Sequence, residues 1–415
     1  MATVKPFKAL RYTEKAGDMK NLACPPYDII SDGEYQDLLD NSDYNVIRLE
    51  LPKTGEDVYK TAADTLNTWE NDGILKEDDT QGLYLYREEF EALGERKSIC
   101  GIIGAVQLED FSKGIILPHE NTLSAAKEDR FNLMCATGCN FSLIYSLYFD
   151  EGKNTLQKCE QAAKNTQPFA KFCDNEGVTH TFWKIENAQD ICKDFDGKKL
   201  FIADGHHRYE TALRYRDTKK TEGSKDVMMM LVPMESEGLV VLPTHRVIKN
   251  SENFDAAKLL ENCREFFNIT KAETKDAAIK LLDEIYAAGG IGFVFYCKGE
   301  FSVLCVKDEN ARKALTKGVE SPVDELDVTV LHTGILERFL GIDLEVLKGG
   351  KRVAYYKQAD DAIENADRAD CAFLLNPTRV EQIAAVASAG GKMPQKSTYF
   401  YPKLITGPVM RKIDK

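Results

Sequence analysis

Lys199-Leu200-Phe201-Ile202-Ala203-Asp204-Gly205-His206-His207-Arg208-Tyr209-Glu210-Thr211-Ala212-Leu213 is the stretch that decides how this chain reads. Leu200 to Ala203 is a short apolar run that predicts a buried strand. After Asp204-Gly205, residues Tyr209, Ala212 and Leu213 take up helical spacing, with Glu210 placed to face Arg214. The expectation is a strand, a tight turn and a helix, with Asp204 as the cap and Gly205 freeing the backbone to turn. Unsatisfied amides and the positive end of the helix dipole would then point at whatever lies above the strand, with His206, His207 and Arg208 in the same first turn. That is a place for a phosphate. A capped turn with a solvated histidine is the bland alternative, but five polar or special residues in a row directly after a buried strand leave it too much to explain.

Two further strand ends have the same design. Ile115-Ile116-Leu117 runs into Pro118-His119-Glu120, with Lys127, Asp129 and Arg130 on a following helix. Leu239 to Leu242 runs into Thr244-His245-Arg246. Of six histidines, four lie in these three clusters. Loops at neighbouring strand ends converge in mixed sheets, and converging His, Arg and carboxylate groups suit phosphate handling. Glu120 is the candidate base and His206 and His207 the other candidate catalytic groups, with Asp204 to Arg208 holding phosphate. A metal centre built from His119, Glu120, His206, His207 and His245 is the rival. Adjacent helical residues point about 100° apart, so His206 and His207 rarely serve one metal, and no metal ligand is assigned. Mg²⁺ is expected only with a nucleotide.

The rest of the chain sets bounds. Its 415 residues, 43% hydrophobic, suffice for two or three domains with real cores, and a net charge of −13 argues against a general nucleic-acid binder. Eleven cysteines without a zinc or disulfide pattern suit free thiols in a reducing cytoplasm. No signal-like or membrane-length apolar run occurs, so the expectation is a soluble, cytoplasmic protein without a membrane partner.

Along the chain, Cys24-Pro25-Pro26-Tyr27-Asp28 reads as a rigid loop or a stiff connector, Val58 to Trp69 as a helix, and Gly82 to Phe90 with Ser98 to Leu108 as a hairpin. Residues 1–250 form the expected N-terminal α/β domain and 251–415 an α+β domain. In the latter, Phe254 to Phe267, Lys275 to Ala288, Asp324 to Leu340 and Val380 to Ala389 read as helices, the last opened by a Thr378/Glu381 capping box. Gly390 to Ser397 has P-loop spacing, but Gln395 stands where the second glycine belongs and an aromatic strand follows, so a Walker motif is rejected. Lys396, Ser397, Thr398 and Lys403 remain anion donors from a loop.

The set Cys24-Pro25-Pro26-Tyr27-Asp28, His119-Glu120 with Lys127 and Asp129-Arg130, Ala203 to Arg208, Thr244-His245-Arg246, Met393-Pro394 with Lys396-Ser397-Thr398, and Pro402-Lys403 resembles the bacterial and archaeal domain-of-unknown-function family ten-fifteen. The central box is similar to that of the ParB/sulfiredoxin-like superfamily and its free-serine kinases. The resemblance implies an α+β (mixed α/β) fold: a ParB/sulfiredoxin-like nucleotide-binding core with an added α+β C-terminal domain. It further implies ATP or ADP as nucleotide, Mg²⁺ with it, and phosphoryl transfer on a small hydroxyl or phosphorylated substrate, serine or O-phosphoserine first. His119, Lys127, Arg130, His245, Arg246, Lys396, Ser397, Thr398 and Lys403 are the expected substrate-binding residues. A phosphatase using the same pocket without nucleotide, and a non-catalytic nucleotide-binding regulator, stay open; a homodimer is compatible.

Overall fold

The structure is a computed structural model that describes residues 1–122, 124–152, 154–164 and 166–413. The fold is α+β, and the chain divides into two units. Unit 1 comprises residues 1–118, 122–240 and 402–415, and unit 2 comprises 119–121 and 241–401. The chain thus leaves unit 1 for three residues at His119–Asn121 and returns to it at Pro402.

Unit 1 is built on nine strands: β1 (Val4–Lys5), β2 (Leu83–Ala92), β3 (Glu95–Gln107), β4 (Ile116–Leu117), β5 (Ile144–Tyr148), β6 (Ala170–Cys173), β7 (Thr179–Ile185), β8 (Leu200–Asp204) and β9 (Asp226–Pro233). The sheet order is β4-β8-β5-β9-β3-β2-β7-β6, with β1 on β3. β2 and β3 form the expected hairpin, closed by Leu93-Gly94 in left-handed backbone. β8 pairs parallel to β4 and antiparallel to β5, and its register slips between Ile202 and Asp204. Such a bulge bends the strand and re-aims the next side chain, which here is Asp204.

Three helices matter to the site: α1 (Val58–Asn71), α2 (Ser124–Thr137) and α3 (His206–Lys219). In α3, Tyr209, Ala212 and Tyr215 recur at three-residue spacing and bury themselves with Leu200 and Ile202 of β8 in one apolar cluster. Tyr209 also satisfies the chain after β3, donating from its hydroxyl to the Glu109 carbonyl at 2.7 Å and accepting the Glu109 amide at 3.0 Å. The expected Glu210–Arg214 pair within α3 does not form. Each residue instead reaches a charge on α2: Lys127 donates to Glu210 at 2.7 Å, and Arg214 pairs with Glu128. Opposite charges facing across two packed helices displaced the local pairing.

Unit 2 carries an antiparallel sheet of β10 (His245–Ile248), β11 (Phe267–Ala272), β12 (Gly292–Cys297), β13 (Glu300–Val306), β14 (Val353–Tyr356) and β15 (Cys371–Leu375), in the order β11-β13-β12-β15-β10-β14. One face, with Val294, Tyr296, Ala372 and Leu374, packs on α4 (Lys275–Ala287) and, further along the chain, the helix Ala359–Ala366. The alternate residues Phe293, Phe295 and Phe373 are also buried, so the sheet is covered on both sides. The helix expected over Asp324 to Leu340 is interrupted. A 3₁₀ turn (Val323–Glu325) leads into α5 (Asp327–Leu331), a π-helical stretch (His332–Glu337) and a last turn, Arg338–Leu340. The helix expected over Phe254 to Phe267 stops at Cys263, because Phe267 opens β11. Val380–Ser388 is helical, but its box is not Thr378/Glu381. Arg379 stands at the cap, its amide donating to Gln382 at 3.0 Å, while the Thr378 hydroxyl donates to the Ser397 carbonyl. Among the described residues no helix is long and apolar enough to cross a membrane.

Candidate functional site

The strand-turn-helix of the opening stretch forms as expected, with one correction. The N-cap of α3 is Gly205, and Asp204 ends β8 instead of capping. Gly205 has φ 91 and ψ 26, left-handed backbone that favours glycine. A Cβ there would lie 3.0 Å from Arg208 Nε and 3.2 Å from its Cζ, because the guanidinium folds back over the turn. The absence of a side chain at Gly205 lets Arg208 reach Asp204.

Asp204 is clamped from two sides. Its Oδ2 accepts from Arg208 Nη2 at 2.7 Å, and its Oδ1 accepts from Lys403 Nζ at 2.8 Å. Burial would push the Asp204 carboxyl up, but Lys403 and then Arg208 outweigh it and hold the group well below the usual carboxylate range. Arg208 also donates to the Leu143 carbonyl. Burial works against its charge, while Asp204, Asp28 and Tyr27 more than offset that and raise its pKa. His206 is buried, and burial depresses His207, with Asp28 and Glu210 opposing and Lys127 and Arg208 assisting. A His207 held down in this way is mainly neutral at pH 7 and can both donate and accept hydrogen bonds. Arg208 and Lys403 set two positive charges against the one of Asp204, and the turn opens a 14-residue helix whose first amides lack intrahelical acceptors.

Behind this turn lies a narrow cavity of about 40 Å³, lined among others by Glu50, Arg130, Ser142 and Arg208. Arg130 is buried: it donates to the Glu50 carbonyl, binds Asp129 through Nε and Nη2 at 2.9 and 2.6 Å, and lies 4.3 Å from the Tyr27 ring centre. Glu50 accepts from Ser142 Oγ at 2.8 Å; burial raises its carboxyl, with Arg130 and Ser142 opposing. Lys127 is engaged with Glu210. Tyr27 and Asp28 lie on a 3₁₀ turn, Tyr27–Ile29, directly after the two prolines. Unit 1 therefore gathers Asp204 to Arg208, Lys403, Lys127, Arg130 and the Tyr27-Asp28 loop.

Unit 2 gathers the others. The three residues His119–Asn121 join it through a bridge between Glu120 and Met393. His119 is buried with Nε2 3.1 Å from Thr398 Oγ1, its carbonyl accepts the Met393 amide, and Glu120 Oε1 accepts the Lys396 amide at 3.1 Å. Ser397 Oγ donates to the Pro394 carbonyl. Arg246 donates from Nη2 to the Lys396 carbonyl at 2.9 Å, and His245 Nδ1 accepts the Leu375 amide. Burial and then Arg246 push His245 down to about 4, so it stays neutral. The two sets of expected site residues are each brought together, one per unit, and the histidines weighed as metal ligands fall in both sets. Among the described residues no group of three or more His, Cys, Asp and Glu side chains is disposed to hold a metal.

Sequence reasoning missed Glu50, Ser142 and a buried hydrogen-bonded chain in unit 1. Tyr86 Oη lies 2.8 Å from both Glu88 Oε1 and His180 Nδ1, and His180 Nε2 lies 3.0 Å from Asp174. Burial pushes the Glu88 carboxyl up to about 8. The available signal for Glu50 was its place between Leu49 and Leu51, and for Glu88 its place in a long β-run.

The sequence model of the family described as "Protein of unknown function (DUF1015)" matches residues 4–329. Among solved structures the chain is similar to a conserved hypothetical protein from Pyrococcus furiosus, at 13% identity and TM-score 0.37, covering 76% of this chain and 95% of that one. It is similar to a free serine kinase variant in complex with ADP at 14% identity and TM-score 0.39, covering 76% and 92%. A third likeness is to SbnI with a C-terminal truncation from Staphylococcus aureus, at 13% and 0.38, covering 74% and 86%. No curated protein matches.

Proposed function

The chain belongs to the DUF1015 family, and on that premise we propose that it transfers a phosphoryl group between a nucleotide, ATP or ADP, and a small hydroxyl metabolite, free serine or O-phosphoserine first. The observation that carries the reading is the clamp at the start of α3. Asp204 is paired with Lys403 and Arg208, so the turn sets two cations beside a helix N-terminus, with imidazoles on the first two helical positions. Phosphoryl transfer asks of a protein mainly placement and charge neutralisation, and these groups supply both. The motif's similarity to free-serine kinases supports the choice of substrate and a ParB/sulfiredoxin-like core, and the free cysteines support a cytoplasmic setting.

In this reading the first-turn amides, Arg208 and Lys403 hold phosphate oxygens while His206 and His207 orient them. The substrate hydroxyl oxygen bonds to the terminal phosphorus, the bond from that phosphorus to the nucleotide's bridging oxygen breaks, and the hydroxyl proton passes to a carboxylate. Glu120 has that role by the order of motifs along the chain, and Glu120→Gln is expected to abolish turnover while nucleotide affinity stays. Mg²⁺, when bound, would neutralise phosphate charge. Asp28, exposed and in the electrostatic field of Arg208 and His207, is the carboxylate that fits it.

Phosphorus NMR of the full chain with Mg²⁺ tests the proposal, comparing serine plus ATP or ADP with O-phosphoserine alone and with added AMP or ADP. Phosphoserine formed from serine, or lost only with nucleotide, supports it. Phosphate released without nucleotide turns the reading to a phosphatase. Tight nucleotide binding with no turnover of any substrate turns it to a regulator.

A further inference from the structure

Strand register in unit 1 brings Tyr86, Glu88 and His180 together. Tyr86 and Glu88 lie two residues apart on β2 and share a face, and His180 of β7 stands directly opposite Glu88. Phe182, opposite Tyr86, stacks on its ring at 4.1 Å, and Phe172 of β6 lies 5.0 Å from the imidazole. Under these rings Glu88 and His180 are each 1% exposed. His180 leads on to Asp174, just past the end of β6, which keeps 21% of its side chain in solvent.

Three contacts link these four side chains: Glu88 Oε1 to Tyr86 Oη at 2.8 Å, Tyr86 Oη to His180 Nδ1 at 2.8 Å, and His180 Nε2 to Asp174 Oδ2 at 3.0 Å. Each contact needs a hydrogen. With both carboxylates ionised and the imidazole neutral the groups carry two, one on Tyr86 and one on the ring, so the geometry asks for a third proton. It can sit on Glu88, which then donates to Tyr86 while Tyr86 donates to His180 Nδ1. It can equally sit on Nδ1, with Tyr86 donating back to Glu88. In both arrangements Nε2 donates to Asp174, and the Tyr86 oxygen takes one hydrogen from the chain and one from the Ile405 amide at 3.4 Å, which fills both its lone pairs. Burial pushes the Glu88 carboxyl up to about 8, in keeping with a third proton bound at pH 7. Burial would raise Asp174 too, but the bond from His180 and the turn amides outweigh it and hold that carboxyl below its usual range. Tyr145 of β5 also lies in the field of Glu88.

We propose that Glu88, Tyr86, His180 and Asp174 form a buried binding site for one proton, whose departure releases the turn after β6. Once it leaves, two hydrogens serve three contacts and one contact breaks. An ionised Glu88 shut away from solvent keeps the Tyr86 hydrogen, and the Tyr86 oxygen keeps a second donor only if the ring hydrogen moves from Nε2 to Nδ1. The contact that breaks is therefore His180 to Asp174, because Asp174 can turn to water. Its other oxygen, Oδ1, accepts the Glu176 and Val178 amides, each at 2.9 Å, so the change is delivered to the surface turn at 174–178. The seat that Tyr86 gives Ile405, two residues from Lys403, survives it. The device goes beyond the phosphoryl-transfer reading and does not depend on it.

The test is nitrogen NMR of the full chain with labelled histidine across neutral to alkaline pH, the His180 ring being assigned by its loss in His180→Gln, beside amide exchange at Glu176 and Val178. The ring hydrogen is expected on Nε2 at neutral pH and on Nδ1 at alkaline pH, crossing at about 8, with faster exchange at both amides once it has crossed. In Glu88→Gln the carboxamide supplies the third hydrogen at every pH, so Nε2 should keep its hydrogen throughout, and both amides should exchange more slowly than in wild type at the same alkaline pH. If Glu88→Gln does not fold, the wild-type ring and amides decide. A wild-type ring that keeps one tautomer throughout, a crossing unchanged in Glu88→Gln, or a crossing without any response at the two amides overturns the proposal. Nothing in the test uses nucleotide, so a failed kinase assay leaves it intact.

Discussion

Replacing Gly205 with alanine should damage the phosphate turn through two separable terms. The first is backbone strain: φ 91 and ψ 26 lie in the left-handed region, which costs an L-residue about 1–2 kcal/mol. The second is the Arg208 guanidinium, whose Nε, Cζ and Nη2 would stand 3.0–3.2 Å from the new methyl. A long side chain can shift a few tenths of an ångström, but this one is held by Asp204 and the Leu143 carbonyl. Full loss of a buried pair costs about 3–5 kcal/mol, and a partial shift about 1 kcal/mol, the worth of one weakened charge-assisted bond. Gly205→Ala should therefore lose about 2–3 kcal/mol in urea unfolding. Gly114→Ala is the control, with left-handed backbone at φ 64 and ψ 25 and no atom within 4 Å of its Cβ; it should lose only the first term. Equal losses in the two variants, or a Gly205→Ala protein as stable as wild type, would refute the account of Arg208 as a side chain folded over the turn.

Three other outcomes follow from the same geometry. Glu88 has a folded pKa of about 8, above its unfolded value near 4.3, so the native state binds the extra proton and stability falls by up to ~1.4 kcal/mol per pH unit between those values; Glu88→Gln should flatten that decline, and an unchanged slope in pH-dependent urea titrations would remove Glu88 as its source. Asp204 is shifted the other way, so its contribution is present above pH 4 and lost as acid protonates the folded carboxyl; Asp204→Asn should lose about 3–5 kcal/mol at pH 7 and much less at pH 2, measured by the same titrations. Lys403→Met, which removes one cation of the clamp, should weaken nucleotide affinity by about tenfold or more, and unaltered affinity by calorimetry would take Lys403 out of the anion site.

The parts of this protein legible in the sequence are those in which local signals agree. The apolar run at Leu200, the Asp204-Gly205 break and the spacing of Tyr209 and Ala212 all specify one strand, one turn and one helix. The hairpin around Leu93-Gly94 is equally local. What was hidden depends on partners distant in sequence. Glu210 prefers Lys127 to Arg214 because α2 lies alongside. The strand Phe267–Ala272, of which only the first residue falls in the helix expected before it, stays hidden because its pairing with β13 is not written in its own residues. The helical period over Asp324 to Leu340 is sound in composition but breaks where His332 begins the π stretch. Likewise Lys403 was picked as a loop cation, while its closure of the Asp204 clamp, 199 residues away in sequence, becomes visible only in the fold.

The central claim is that the turn at Asp204 to Arg208 binds the phosphates of a nucleotide, and the most direct measurement is calorimetric titration of ADP with Mg²⁺ into wild type and Arg208→Gln. Saturable wild-type binding that weakens by tenfold or more in a folded Arg208→Gln protein is the predicted result. No wild-type binding, or the same affinity in both proteins, would contradict it.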